Sequence, residues 1–340
     1  MKKLLLTILA MATLVGCSKD ETLDVQTRSA ITFEDAFVDN AVSTRAPIDN
    51  SYKDISSFEV YGTITNNSNE SANIFLEEKV SKTGNVWGYD EANTQYWIPG
   101  NTYSFRAFVD GDEAGATGIS TDQYGMPTAL TVHDVSAQKD VLFAESMGIE
   151  YEAGDNVNPV KFVFEHLMAK AHFTVWNTIT TNSGYSYKVK KIVVSAPKTA
   201  VYTIGKGWGE AKYSCELEFG NITDEPIHTS ESEDASLIGY QEKKKSAFER
   251  LLIPTQVMEP ETKSKFNMKF VRELYKRDDM SGKDVLIHSE VVNLTSKANL
   301  KAGHAYNFVI KLGNPGEPIE FSVESIKGWT PNPAEETTMN

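Results

Sequence analysis

Cysteine is almost absent from this chain: Cys17 and Cys215 are the only two. A disulfide framework is therefore excluded, and the fold must be held by its core. Also missing is any stretch that sustains a 3.6-residue apolar period, which leaves strands as the expected carriers of the core. Past the first 17 residues no long apolar run occurs. Positive charge is in short supply: 33 Lys and Arg face 47 Asp and Glu, for a net charge of −14. That balance argues against nucleic acid or an anionic membrane surface as a partner. Reaction-centre patterns are missing too, since no GxSxG, HExxH or phosphate-loop motif appears, and neither an enzyme nor a cofactor is expected. The six histidines, His133, His166, His172, His228, His288 and His304, are scattered. His166 and His172 could share one side of a strand, but no third ligand lies at a familiar spacing, so structural roles and no metal are expected. Asp110–Glu113, DGDE, resembles part of a calcium loop without its later ligands and reads as a solvated turn.

The opening MKKLLLTILAMATLVGC has two lysines, a short apolar run and a small-residue end. That is the layout of a secretory signal, too short for a comfortable membrane span. Leu14–Cys17 resembles a bacterial lipobox, in which Cys17 is lipidated and begins the mature chain. Ser18, Lys19, Asp20 and Glu21 resemble the charged tether that exports lipoproteins to the outer cell surface in Bacteroidetes. With Cys17 taken by lipid, Cys215 reads as a small core residue alternating with Tyr213, Leu217 and Phe219.

The stretch around which the rest is organised is Val160–Trp176, VKFVFEHLMAKAHFTVW. Val160, Phe162 and Phe164 share one apolar phase, and from Leu167 the phase moves to Leu167, Ala169, Ala171, Phe173 and Val175. Because side chains alternate strictly across a strand, such a slip means a bulge or a backbone that leaves one core for another. We read it as the crossing between two β-domains, with a helix over EHLMAKA as the weaker alternative.

The flanks support an all-β reading. SFEVYGTI places Phe58, Val60 and Ile64 on one face with Gly62 between them, and NTYSFRAFV alternates at Tyr103, Phe105, Ala107 and Val109. DGDEAGATGISTDQYGMP reads as a long surface loop. Beyond the crossing come YKVKKIVVSAP, AVYTIG, YSCELEF, SAFERLLIP, SKFNMKFVREL, KDVLIHSEVVNL, HAYNFVIKL and EFSVESIKGW. Asp278, Asp279, Ser281 and Gly282 form a hairpin turn between two of them. The length suits two domains, and two β-sandwiches are expected. The boundaries are a signal and lipobox over 1–17, a propeptide over 18–45, one sandwich over 46–165 and a second over 166–340. Within the propeptide, AITFEDAFV carries alternating Ile31 and Phe33 and could supply one short strand, while Arg28 and Arg45 flank it in small, polar contexts suited to trypsin-like cleavage.

The lipobox, STRAP, YWIPGNTYSFRAF, FEHLMAKAHFTV, LLIPTQ, AGHAYNFVIKL and the terminal IKGW together resemble the fimbrillin family of Bacteroidetes, the subunits of type V pili, in its Mfa-like branch. The resemblance covers nearly the whole mature chain. It implies two transthyretin-like β-sandwiches behind a lipidated leader, a precursor displayed on the outer membrane, and an arginine-specific protease that removes an N-terminal strand. The vacated groove then takes a strand from a neighbouring pilus subunit. Carried onto this chain, Ile31 and Phe33 belong to the removed plug, cleavage falls between Arg45 and Ala46 with Arg28 as second choice, and Ile319, Phe321 and Val323 form either the donated strand or the last strand of the second domain. The polar, proline-rich tail after Trp329 suits a tip or accessory subunit better than a shaft subunit, with a host or bacterial surface ligand as a further partner. The alternative is a surface glycan-binding lipoprotein, which needs an exposed platform among Trp87, Trp97, Trp176, Trp208 and Trp329, although strand positions more often bury tryptophan.

Overall fold

The computed structural model describes residues 29–38, 55–112, 114–177, 184–220, 249–254, 266–296, 300–325 and 330–331. Among them the strands are β1 Phe33–Val38, β2 Ser57–Thr65, β3 Ser71–Thr83, β4 Val86–Gly88, β5 Asn101–Val109, β6 Thr117–Thr121, β7 Pro127–Val132, β8 Leu142–Tyr151 and β9 Val160–His166. They continue as β10 Ala169–Asn177, β11 Tyr185–Thr203, β12 Gly207–Trp208, β13 Lys212–Gly220, β14 Glu249–Leu252, β15 Phe266–Arg277, β16 Asp284–Ser296, β17 His304–Leu312, β18 Glu320–Ser325 and β19 Thr330–Pro331. Helix among these residues is limited to two 3-10 turns, Glu91–Asn93 and Val135–Ala137. The all-β expectation holds.

Three sheets carry the fold. The first has the order β1-β9-β8-β5-β2-β3-β4, the second β14-β10-β17-β18 with β19 beside β17, and the third β16-β15-β11-β7-β6 with β12 and β13 also on β11. The apolar phase slip is where the chain passes from the first sheet to the second. On β9, Val160, Phe162, Phe164 and His166 are buried and the residues between them exposed, whereas Leu167, Ala169, Ala171, Phe173 and Val175 bury the opposite parity. Leu167 and Met168 make the crossing and are themselves buried. The helical alternative is thereby set aside, since His166 ends one strand and Ala169 begins the next.

Two cores result. One lies on one face of the first sheet and joins Phe58, Val60, Phe75, Phe105, Phe162 and Phe164. The second joins Phe173, Phe219, Phe270 and Phe308 of the other sheets to Tyr61, Phe108 and Phe143 on the opposite face of the first. Val60 and Tyr61 are therefore neighbours in sequence and belong to different cores, as pleat alternation requires of a strand buried on both faces. What covers that second face is the β6–β7 hairpin, through Met126, Leu130 and Val132.

Three expectations from the sequence differ from the structure. The Gly-rich stretch from Asp110 to Pro127 contains β6 and the start of β7. YKVKKIVVSAP and AVYTIG are one strand, the 19-residue β11. Its first part pairs with β15 up to Ser195 and its last part with β7 from Ala200. Pro197 lies opposite Ser214 of β13 on one side and, on the other, in the gap between β15 and β7, where a missing N–H interrupts neither of those two ladders. Tyr213 also departs from expectation: Leu217 and Phe219 are buried and Cys215 half-buried, but Tyr213 takes a φ of 59° and is 79% exposed. A positive φ at an aromatic residue turns its side chain out of the strand's alternation. The hairpin turn between β15 and β16 matches expectation, with Gly282 at a φ of 64° and the Asp278 carboxylate accepting from the Met280 amide and the Ser281 hydroxyl.

Candidate functional site

The N-terminal segment Ser29–Val38 lies at the end of the first sheet and closes its core. Ile31 and Phe33 are 0% and 5% exposed, while Thr32 and Glu34 face out. This in-and-out order is what a period of two dictates when one face meets a core. The backbone is held by two different partners. Over its first residues the Ile31 amide donates to Gln95 O at 2.8 Å and the Trp97 amide to Ser29 O at 3.0 Å, with Ala30 bridged antiparallel to Tyr96. Further on, the Val160 amide donates to Thr32 O at 2.8 Å, and β1 runs parallel to β9 with Phe33 opposite Val160 and Val38 opposite Phe164.

Phe33 fills an aromatic socket. Its ring stacks on Phe162 at 5.9 Å and meets Phe58, Phe75, Tyr89 and Phe105 edge-on at 5.6–6.1 Å. Such pairs add to area burial because the positive ring edge meets the negative face of its neighbour. Room for two of these rings comes from Gly62: a Cβ there would lie 2.9 Å from Phe105 and 3.0 Å from Phe75. The segment before β5 is fixed in turn by Tyr103, whose hydroxyl accepts from the Ile98 amide at 2.6 Å. Trp97 packs on the Tyr103 ring at 4.5 Å and is buried.

Tyr89 completes the socket, a residue the sequence reading did not single out. Its hydroxyl donates to the Ile31 carbonyl at 2.7 Å and accepts from the Gln95 amide at 3.4 Å. Burial pushes this hydroxyl's pKa up, against the lowering hydrogen bond from Gln95. The group is therefore a protonated donor at neutral pH. No motif betrays it, because its partner is a backbone atom far away in sequence.

Neighbouring support for β9 is thin on its other side. β8 pairs with β9 only at Leu142 with His166 and Phe143 with Glu165. Along most of its length β9 takes its backbone partner from β1.

The remaining sequence-derived sites are distributed as follows. Cys17, Arg28, Arg45 and Ala46 lie outside the described residues. Ile319, Phe321 and Val323 pack half-buried against the second core; β18 pairs antiparallel with β17, and Phe321 stacks on Phe308 at 6.0 Å. Trp97 and Trp208 are buried, and Trp87 is half-buried with the Lys82 Nζ 5.6 Å above its ring. The Trp176 side chain and Trp329 lie outside the described residues. His166 and His172 do not share a strand: they occupy β9 and β10 in separate sheets. His166 Nδ1 lies 2.9 Å from Asp140 Oδ2, and His172 Nδ1 lies 4.0 Å from Glu249. Near the DGDE turn, burial followed by the charge of Asp110 pushes the Glu59 carboxyl up, and burial followed by the charge of Asp112 does the same to Glu77. Among the described residues, no group of three His, Cys, Asp or Glu could hold a metal ion.

No curated protein matches the chain. Among solved structures, a fimbrial protein from Bacteroides vulgatus aligns with a TM-score of 0.61 at 15% identity, over 87% of this chain and 99% of that one. At that identity the likeness speaks for the fold. A candidate cell adhesion protein from Bacteroides ovatus aligns at 0.46 with 17% identity, over 88% of this chain and 97% of that one. The fimbrial anchor protein Mfa2 from Porphyromonas gingivalis aligns at 0.38 with 8% identity, over 88% and 98%. A family model described as fimbrillin-like matches residues 44–329, the greater part of the sequence, and the chain belongs to that fimbrillin-like family.

Proposed function

We propose that this protein is a structural subunit of a surface pilus, made as a lipid-anchored precursor through Cys17. An arginine-specific protease cuts it after Arg45, removing the segment that carries Ile31 and Phe33. The observation that carries the reading is the socket: an N-terminal strand at the end of its sheet places Phe33 among five aromatic rings. Removing it exposes unpaired backbone on β9 and an apolar furrow, and a strand from another subunit satisfies both. The fimbrillin-like family supports a place in a fimbrium at the cell surface, with other pilus subunits as partners.

Within that reading, a tip or accessory role fits better than a shaft role. β18 is engaged in the chain's own second sheet, and Phe321 is stacked in its core. A subunit that keeps this strand accepts a partner without donating to the next, and its free end is available to a surface ligand. The test is the N-terminus of the cell-surface form, by intact mass and terminal sequencing. A start at Ala46 is expected, lost in Arg45→Ala. A lipidated start at Cys17 that persists after treatment with an arginine-specific protease would overturn the proposal.

A further inference from the structure

We infer that Tyr89 sets the register and direction of the strand that occupies this groove. The inference rests on the proposal that the native strand is replaceable. Tyr89 touches the segment in two ways. Its hydroxyl holds the Ile31 carbonyl at 2.7 Å, and its ring packs edge-on against Phe33 at 5.8 Å and against Phe75 at 5.2 Å. Gln95 completes the grip: its carbonyl takes the Ile31 N–H at 2.8 Å and its own amide donates to the Tyr89 hydroxyl at 3.4 Å. Both backbone groups of Ile31 are thus engaged at one point.

The contact to Ile31 is to main chain and is blind to side-chain identity. The contact to Phe33 reads the side chain two positions on. A strand slipped by one residue turns its carbonyl away from the hydroxyl and presents the polar positions, here Thr32 and Glu34, to the aromatic socket. A reversed strand exchanges the places of N–H and C=O opposite Tyr89 and Gln95. Tyr89 and its neighbours therefore select an extended peptide that runs parallel to β9 and carries a large aliphatic residue followed two positions later by an aromatic one. The ligand class is a strand of another protein chain with that spacing.

Tyr89→Phe tests this in the full-length chain, since it keeps the ring and removes only the hydroxyl. By hydrogen exchange of the uncut protein, the Ile31 and Val160 amides should exchange roughly five- to tenfold faster, the usual worth of one such bond. Amides of β5 such as Phe105 should not change, whereas a general loss of stability would raise both. Unchanged exchange at Ile31 and Val160 overturns the inference. In a second measurement both proteins are cut with an arginine-specific protease and native mass spectrometry follows departure of the freed segment. Departure about five- to tenfold sooner from Tyr89→Phe supports the role, and equal departure overturns it. If the segment stays on both proteins indefinitely, the replaceable-strand proposal fails, and the exchange result alone decides the role of Tyr89.

Discussion

Phe33 and Phe162 stack with their ring centroids 5.9 Å apart and 16° between their planes, one on β1 and the other on β9, neighbouring strands of the first sheet that lie far apart in sequence. The first core of the full-length chain includes both rings. Phe33→Ala should cost about 3–5 kcal/mol, the usual loss for emptying a buried aromatic position. Ile31→Asp with Phe33→Asp should cost more, because two carboxylates would enter an apolar socket. Denaturant unfolding of the precursor and of the protease-cut form separates the cases: the precursor loses stability and the cut form does not. Equal losses in both would mean that the segment is not a separable plug.

Gly62 is a second point of sensitivity. A methyl at this position meets Phe105 at 2.9 Å and Phe75 at 3.0 Å, and both rings are held by the Phe33 cluster. Gly62→Ala should destabilise by about 1–3 kcal/mol through overpacking. Thermal unfolding of the variant checks this. A Phe105→Leu background, which shrinks the offending ring, should recover part of the loss.

Trp208 ties the crossing to the third sheet. Its indole N–H donates to the Leu167 carbonyl at 2.8 Å, and the residue is buried. Trp208→Phe strands that carbonyl, and a loss of about 1–3 kcal/mol is expected. Equilibrium unfolding measures it, and a change near zero would show that the crossing finds another donor.

His172 makes stability depend on pH. Burial lowers its pKa below the ordinary 6.5, opposed by the attraction of Glu249 and joined by the repulsion of Lys170. Above pH 6.5 the imidazole is neutral in folded and unfolded chains alike and contributes no slope. Below it the unfolded chain takes up a proton that the folded chain refuses, so stability falls as pH drops from 6.5 towards the depressed folded value. Unfolding free energies should be nearly the same at pH 7.5 and 6.5 and fall from pH 6.5 to 5.5, and the fall should be shallower in His172→Leu. Equal slopes would assign the effect to other groups.

The parts of this fold that were legible are those where physics is local. Alternation marked β2, β5 and β9, and the phase slip between Phe164 and Leu167 marked either a bulge or a change of core, which the structure resolves as the passage from the first sheet to the second. The turn at Asp278–Gly282 was legible from its own residues. The β6–β7 hairpin was not: Ile119 is its only aliphatic residue before Met126, and its pairing partner lies beyond the crossing, on the last part of β11. β11 was split in two by Pro197 because whether a proline breaks a strand depends on what lies beside it. At the site, Ile31 and Phe33 announced themselves by spacing. Tyr89 did not, for its bond is to a main-chain atom that no sequence pattern encodes.

The pairing of β1 with β9 sets an order in time. A chain that emerges N-terminus first presents Ile31 and Phe33 long before Val160–Phe164 exist to receive them. Contacts so distant in sequence are slow to form and expose apolar strand meanwhile. Closure of the first core must wait until the chain has emerged as far as His166. Premature trimming of the N-terminus would therefore do more than free a groove: it would deprive the nascent β9 of its principal neighbour during the interval in which it is most prone to pair with a stranger.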